Sequence, residues 1–247
     1  MEQVRPQSFA RRSPIHHALQ AEGAVFAPLP GGDAAVAAHY DDPAAERAAA
    51  GRLALADLSP LPRMGLKGRD TFDWLRAEGA SFEPVPNRAF AQDGGGLLAL
   101  LSMGEALALA GPDGASPLVA AMAALPAATP GRLAYPLPRG DSHYAFALAG
   151  PLWPEVLATL CGVDLRPAAF ASGAVAQTSL ARSNAILVRH PGDDDKPLFS
   201  LLGDSASADY IWSCLRRAMA PHAGRLVGTE ALTGDGGSGT GLGKNAH

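Results

Sequence analysis

The sequence is poor in aromatic residues, in charged residues and in cysteine. Aromatic residues make up 6% of the 247 residues and charged residues 18%, so the core must be built largely from small aliphatic side chains. The formal net charge of −4 argues against the basic surface that nucleic-acid binding needs. Two cysteines, Cys161 and Cys214, do not make a disulfide scaffold, and we expect buried thiols in a reduced compartment.

Apolar segments of the kinds that direct a chain to a membrane are also missing. The first 20 residues contain no apolar h-region, which argues against a secretory signal. Nowhere do about 18 apolar residues follow one another, which argues against a transmembrane helix. We therefore expect a soluble, cytoplasmic protein that binds neither membranes nor nucleic acid, and one long enough for a sizeable core.

The chain does contain an order of elements that occurs twice: a strand, a helix, three strands and a closing helix. In the first copy these elements are predicted at residues 63–67, 70–78, 87–92, 97–101, 106–110 and 116–125. In the second copy they are predicted at 143–149, 152–161, 174–180, 185–190, 198–203 and 205–219. The order predicts an α+β fold made of two tandem ferredoxin-like halves, each of the β-α-β-β-α type.

The same pattern divides the chain into four parts. Residues 1–41 are predicted to be an N-terminal arm with a short helix, and residues 42–135 the first α+β half. Residues 136–230 are predicted to be the second half. Residues 231–247 have the glycine-rich composition of a disordered tail.

Four polar motifs favour structural roles over chemistry. The glycine-rich run 239–244 lacks the spacing and the following hydroxyl residue of a phosphate-binding loop. The run 190–195 is typical of a solvated turn, and 139–143 of a polar loop, because triad residues come from distant segments. The glycines at 94–96 precede a strand and not a helix, which predicts a hairpin turn. We predict no catalytic residue, cofactor site or metal site on this chain.

A fifth feature, the apolar stretch 53–69, is interrupted by Asp57, Ser59 and Arg63. An acid, a hydroxyl and a guanidinium beside a proline-bent crossing either form a site or hold the bend. Asp and Ser commonly satisfy backbone donors in turns, which favours the structural role. Arg63 is then expected to pair with Asp57 or to reach a neighbouring subunit.

Arg12, His16 and His17 are further structural or interface candidates near the N-terminus. Two adjacent histidines on a helix point roughly 100° apart, which is a poor geometry for sharing a metal ion. One of them is expected to face a partner, and neither to be a ligand.

Two sets of segments along nearly the whole chain carry a resemblance to known proteins. The first set is Arg12-Ser13-Pro14, Gly23-Ala24, the helix that follows Asp42-Pro43, Leu53–Ser59 and Gly65–Gly68, and it resembles the glycine-cleavage T-protein family. The second set is Gly150-Pro151, Cys161–Leu165, Phe170–Gly173, Ala176–Thr178 and Asp204–Trp212, and it resembles one branch of that family, the gamma subunits of heterotetrameric sarcosine oxidases. The resemblance implies the folate-binding aminomethyltransferase fold, without its C-terminal barrel domain.

The resemblance also implies that the family's chemistry is lost. T-proteins carry a glycine turn followed by an apolar pair and two carboxylates, and this chain has Ala99 and Leu100 at the carboxylate positions. An aliphatic side chain neither accepts a proton nor stabilises a developing cation. The family's Ser-His-Met after the aspartate is here Ser59-Pro60-Leu61. By resemblance, FAD, FMN, NAD and tetrahydrofolate are expected on larger partner subunits and not on this chain.

Three functions remain open at this point. The leading one is a non-catalytic subunit that binds the larger flavoprotein subunits of a complex that oxidises sarcosine or a related N-methyl amino acid. The second is a stand-alone folate-binding protein of the aminomethyltransferase kind, with a ligand between the two halves. The third is a scaffold of the same fold with another partner.

Overall fold

Six α-helices are found in the computed structural model, which describes residues 4–31, 33–192 and 194–233. They are α1 (His16–Ala21), α2 (Pro43–Ala50), α3 (Thr71–Ala77), α4 (Pro117–Ala124), α5 (Trp153–Leu157) and α6 (Ala208–Met219). Two begin at a side-chain cap followed by proline. Asp42 accepts a hydrogen bond from the Ala45 amide at 3.0 Å, and Ser116 accepts one from the Val119 amide at 3.2 Å. Such caps satisfy amides that the first turn leaves free.

Thirteen strands form three antiparallel or mixed sheets in the described residues. The strands are β1 (Val25–Pro28), β2 (Ala35–His39), β3 (Ala54–Asp57), β4 (Arg63–Lys67), β5 (Arg88–Ala91), β6 (Leu97–Ser102), β7 (Glu105–Leu109), β8 (Tyr135–Pro138), β9 (His143–Ala149), β10 (Val175–Leu180), β11 (Ser183–Arg189), β12 (Leu198–Asp204) and β13 (Arg225–Leu226). The two large sheets have the orders β5-β6-β7-β4-β8 and β10-β11-β12-β9-β3-β13, and β1 pairs with β2 alone.

The two large sheets confirm that one arrangement occurs twice. In each half a strand is followed by a helix, a meander of three antiparallel strands and a closing helix, and the first strand pairs with the last strand of the meander. The ferredoxin-like description is not what these pairings show. The strands on either side of α3 are antiparallel and separated by two strands, because short hairpins keep every neighbour in the meander antiparallel.

The halves exchange one strand each. β8 directly precedes β9 in the chain but pairs with β4 of the first half, and β3 directly precedes β4 but pairs with β9 of the second half. The sheets therefore do not follow the predicted limits 42–135 and 136–230, since β3 lies in the first segment and joins the second sheet.

Gly68 and Gly150 lie at equivalent positions, between the first strand of each half and its helix. Both have left-handed backbone angles, with φ of 142° and 96°. A Cβ atom on Gly68 would lie 2.0 Å from the Leu133 carbonyl oxygen, and one on Gly150 would lie 2.3 Å from the Arg52 carbonyl. In each half, glycine thus makes room for the segment that leads into the exchanged strand.

The core has three layers of apolar side chains. One lies between the two sheets and is rich in alanine, as the composition predicts, with Ala54, Ala56, Ala145 and Ala147 facing Leu107 and Leu109. A second fills the space between the six-stranded sheet and helices α1, α5 and α6, and a third lies between the five-stranded sheet and helices α3 and α4. The molecule is therefore a helix–sheet–sheet–helix stack.

A segment at 225–231, here called the C-terminal strap, closes one edge of the six-stranded sheet. β13 pairs in parallel with β3, and Val227 is fully buried. The buried Glu46 carboxylate accepts hydrogen bonds from the amides of Tyr40, Asp41 and Gly228, the last at 2.8 Å. Of the predicted tail, residues 234–247 lie outside the described residues.

Candidate functional site

Asp57 and Ser59 meet where the connection between β3 and β4 crosses the equivalent connection between β8 and β9. Asp57 is 2% exposed, and its Oδ1 accepts hydrogen bonds from the Ser59 hydroxyl at 2.6 Å and the Ser59 amide at 3.2 Å. The Ala145 amide of β9 donates to the Ser59 hydroxyl oxygen at 3.0 Å. The pair thus holds both its own bend and the opposite half.

Arg63, at the start of β4, uses all five of its N–H groups on backbone carbonyls. They donate to the carbonyl oxygens of Ser59, Leu61, Arg139, Gly140 and His143. Burial lowers the pKa of Arg63 to about 10, although the charge of Asp57 opposes that shift. No ion pair between Arg63 and Asp57 is found among the described residues, so the guanidinium joins the two connections directly.

Burial also raises the pKa of the Asp57 carboxyl, against the opposing effects of the hydrogen bonds from Ser59 and of the Arg63 charge. Oδ2 of Asp57 has no hydrogen-bond partner among the described residues. Asp57, Ser59 and Arg63, which the sequence singled out, therefore lie together. We call them the crossing cluster.

A cleft of about 900 Å³ opens beside the crossing cluster at one end of the six-stranded sheet. Only one part of its wall, the run 139–143, stands out in the sequence, because the walls come from four separate segments. The polar and apolar side chains that line it include Arg139, His143, Gln177, Asn184, Leu202 and Asp204. Its volume lies within the range of small-molecule sites, about 300–1,000 Å³.

Ser142 and His143 contact each other at the mouth of this cleft. The Ser142 hydroxyl lies 2.8 Å from Nδ1 of His143, and the Arg139 guanidinium lies 3.3 Å from Nε2. Because a guanidinium only donates, Nε2 must accept and the Nδ1 proton must face Ser142. This tautomer does not take a proton from the serine hydroxyl, so the pair does not act as an activated nucleophile. Burial and the charge of Arg139 lower the pKa of His143.

Ala99 and Leu100, which the sequence resemblance aligns with two carboxylates of the T-proteins, are closed to solvent. Ala99 is fully buried between the two sheets, and Leu100 is fully buried against helices α3 and α4. The cavity next to Arg63, lined by Leu61, Leu109 and Ser200 among others, is about 20 Å³. A space of that size holds about one water molecule.

His16 and His17 contact each other, with ring centroids 3.8 Å apart, where the sequence predicted that they would diverge. Rotation about the side-chain bonds brings the rings together even though the Cβ atoms diverge. Nδ1 of His16 is 3.0 Å from the Ser13 carbonyl, while Arg12 is exposed. No cluster of three or more His, Cys, Asp or Glu side chains fit to hold a metal ion occurs in the described ranges.

The acidic turn after β11 is only partly described, since residue 193 lies outside the described residues. Arg189 is buried and forms an ion pair with Asp194 at 2.7 Å. Nε2 of His190 lies 2.8 Å from the Ser200 hydroxyl, and burial lowers the pKa of His190 to about 4. No helix in the parts of the chain that the structure describes is long and apolar enough to cross a membrane.

Comparison with solved structures places the fold in the aminomethyltransferase class. The glycine cleavage system aminomethyltransferase T from Bartonella henselae matches with a TM-score of 0.68 and 16% sequence identity, over 90% of this chain and 60% of that chain. A chain of the heterotetrameric sarcosine oxidase from Corynebacterium sp. U-96, in complex with pyrrole 2-carboxylate, matches with a TM-score of 0.58 and 20% identity. That match covers 85% of this chain and 95% of that chain.

No protein-family model matches the sequence, and a search of curated proteins finds no match. At 16% and 20% identity the two structures show the fold, which confirms the predicted resemblance at that level. The aminomethyltransferase is the longer of the two, since this chain covers 60% of it.

Proposed function

We propose that this chain is a non-catalytic accessory subunit of a cytoplasmic, sarcosine-oxidase-like flavoprotein complex. Such a complex would oxidise an N-methyl amino acid and pass the one-carbon unit to tetrahydrofolate. The observation that carries the proposal is the match over 95% of a chain from a heterotetrameric sarcosine oxidase, which leaves almost none of that chain without a counterpart here. FAD, FMN, NAD and tetrahydrofolate would then be bound by the larger subunits.

The buried aliphatic side chains at Ala99 and Leu100 support the non-catalytic part of the proposal. Both are 0% exposed, so neither position offers a proton acceptor to a substrate. The crossing cluster does not supply a proton acceptor in their place, because Asp57 is buried and Arg63 donates its hydrogen bonds to backbone carbonyls.

Co-expression with the products of the neighbouring genes, which the proposal expects to include flavoprotein subunits, tests it. We expect one complex in size-exclusion chromatography with light scattering, with flavin absorbance in the complex and none in the isolated chain. A chain that elutes as a lone monomer in the presence of those subunits would contradict it.

The cleft of about 900 Å³ favours one alternative, a stand-alone folate-binding protein. Arg139 and Asn184 at its wall are polar groups of the kind that orient a bound ligand. Isothermal titration of the isolated chain with tetrahydrofolate separates the two functions. Saturable micromolar binding that Arg139→Ala abolishes would favour the alternative, and no binding would favour the accessory subunit.

A further inference from the structure

The turn between β10 and β11 consists of two residues other than glycine that both have left-handed backbone angles. Ala181 and Arg182 have φ of 47° and 68°, and the turn joins the paired residues Leu180 and Ser183. Two-residue turns with positive φ at both positions normally take Asn-Gly or Gly-Gly, because a Cβ atom is strained there.

The other half of the molecule provides an internal comparison. The equivalent turn, between β5 and β6, carries Gly94, Gly95 and Gly96, all at positive φ. In the first half, glycine takes the positive-φ positions of a five-residue turn, whereas the second half has Ala181 and Arg182 at such positions in a two-residue turn. Strain of this kind is concentrated at functional positions, where the side chain contributes something that glycine lacks.

The Arg182 side chain stands at the edge of a depression of about 470 Å³ between the turn, the end of α5 and the outer face of α6. Tyr210 of α6 lines the same depression and is 49% exposed. Val163, in the segment after α5, is a second exposed apolar side chain, at 38%. Cys214 and Arg217 continue the stripe that begins at Tyr210, four and seven residues further along the helix.

The charges on this face are not neutralised within the described residues. Arg182 has neither an ion pair nor a hydrogen bond there, and the Arg217 guanidinium donates only to the Cys214 sulfur, at 3.4 Å. Arg216, one residue earlier, is instead paired with Glu22. Asp164, next to Val163, is paired with Arg166, and α6 carries the single acid Asp209. Arginines therefore outnumber acids on this face, although the chain carries a net charge of −4.

We propose that Val163, Arg182, Tyr210 and Arg217, here called the turn surface, dock onto an acidic face of a larger flavoprotein subunit. Tyrosine and arginine are the side chains that most often dominate protein–protein interfaces, and an uncompensated pair of arginines selects carboxylates on the partner. The short turn fixes the backbone position of Arg182 before contact is made, which lowers the backbone entropy lost on binding. This inference rests on the proposed function and adds the surface through which it is carried out.

Arg182→Gly gives the inference a test in which stability and binding change in opposite directions. Glycine relieves the left-handed strain, so we expect the melting temperature of the isolated chain to rise by roughly 2–4 °C. The same change removes the docking charge, so we expect the dissociation constant of the complex to increase at least about tenfold. Ala223→Gly is the matched control, because Ala223 is exposed with φ of 52° and is not among the residues that line the depression. It should raise the melting temperature without changing the dissociation constant.

Two more variants, titrated by surface plasmon resonance against the immobilised flavoprotein subunits, complete the test. Tyr210→Ala should weaken binding about tenfold, and Arg182→Lys should keep most of it because the charge is retained. Unchanged affinity for both Arg182→Gly and Tyr210→Ala, in a chain that does assemble, would overturn the turn surface alone. A wild-type chain that binds none of the subunits would overturn the proposed function and this inference with it.

Discussion

Arg63 shows how a side chain of apparent chemical interest is used for structure. Its planar guanidinium contacts carbonyls from both connections, and no other side chain has five donors in a fixed fork. The sequence places an arginine beside Asp57, which suggests an ion pair. The partners turn out to be backbone atoms from residues 59–61 and 139–143, which no local pattern specifies.

Arg63→Lys should therefore be destabilising even though the charge is kept. Lysine has three donors on one atom and leaves several buried carbonyls without a partner, so we expect a loss of about 2–4 kcal/mol in the free energy of unfolding. Urea denaturation measures it. The exposed Arg76→Lys is the control and should stay within about 0.5 kcal/mol of wild type. A similar small effect at Arg63 would show that its carbonyl contacts contribute little.

His190 makes the free energy of unfolding depend on pH in the acidic range. Burial lowers its pKa from 6.5 to about 4, so the folded state holds the neutral imidazole that faces Ser200. A lowered folded-state pKa contributes stability that is present above pH 6.5 and is lost as the pH falls through about 4.

His190→Gln keeps a polar side chain near Ser200 but does not titrate. Between pH 7 and pH 4.5 the wild type should lose about 2 kcal/mol more unfolding free energy than the variant. Urea titrations at both pH values give the difference, with the exposed His17→Gln as a control that should follow the wild type. Parallel pH curves for wild type and His190→Gln would rule out this source of acid sensitivity.

At the scale of elements, Gly68 and Gly150 mark where one half admits a segment of the other. Gly68→Ala and Gly150→Ala should each cost more than about 2 kcal/mol of unfolding free energy, because the new methyl group would meet a fixed backbone carbonyl. Thermal and urea unfolding would measure both. Gly79→Ala is the control: its φ is 76° with no atom within 4 Å, so we expect only the strain, about 1 kcal/mol.

Periodicity predicts most elements of the fold but not how they pair. The strands Arg63–Lys67 and His143–Ala149 begin and end as the sequence indicates, and the glycines at 94–96 form the expected hairpin turn. β8 escapes prediction because Pro136 and Pro138 are residues that strands usually avoid. The exchange of β3 and β8 escapes it because apolar alternation specifies a buried face and not a neighbour.

The candidate site, too, is only partly predictable from the sequence. Asp57, Ser59 and Arg63 stand out because polar residues interrupt an apolar run, and they do lie together. The cleft and the turn surface come from segments far apart in the chain, and only the run 139–143 of the cleft leaves a local signal.

At the scale of the whole molecule, the exchange predicts that the two halves unfold together. Each sheet contains a strand of the other half, and the alanine-rich layer is shared between both sheets. Trp74 reports on the first half, and Trp153 and Trp212 on the second. We expect the same urea midpoint from a Trp74→Phe variant and a Trp153→Phe/Trp212→Phe variant, each compared with its own circular dichroism. Separate midpoints would show two independent folding units.

The symmetry of the strand exchange also predicts how a chain with only one repeat would assemble. A chain that contained only one copy would carry a leading strand with no place in its own sheet, and an open position beside its own first strand. Two such chains would satisfy each other through a closed two-fold arrangement, because the unmatched strand of each fits the gap of the other. The present protein thus has the strand pairing of a domain-swapped dimer within a single polypeptide, and its two halves differ at positions such as Arg182 and the glycines at 94–96.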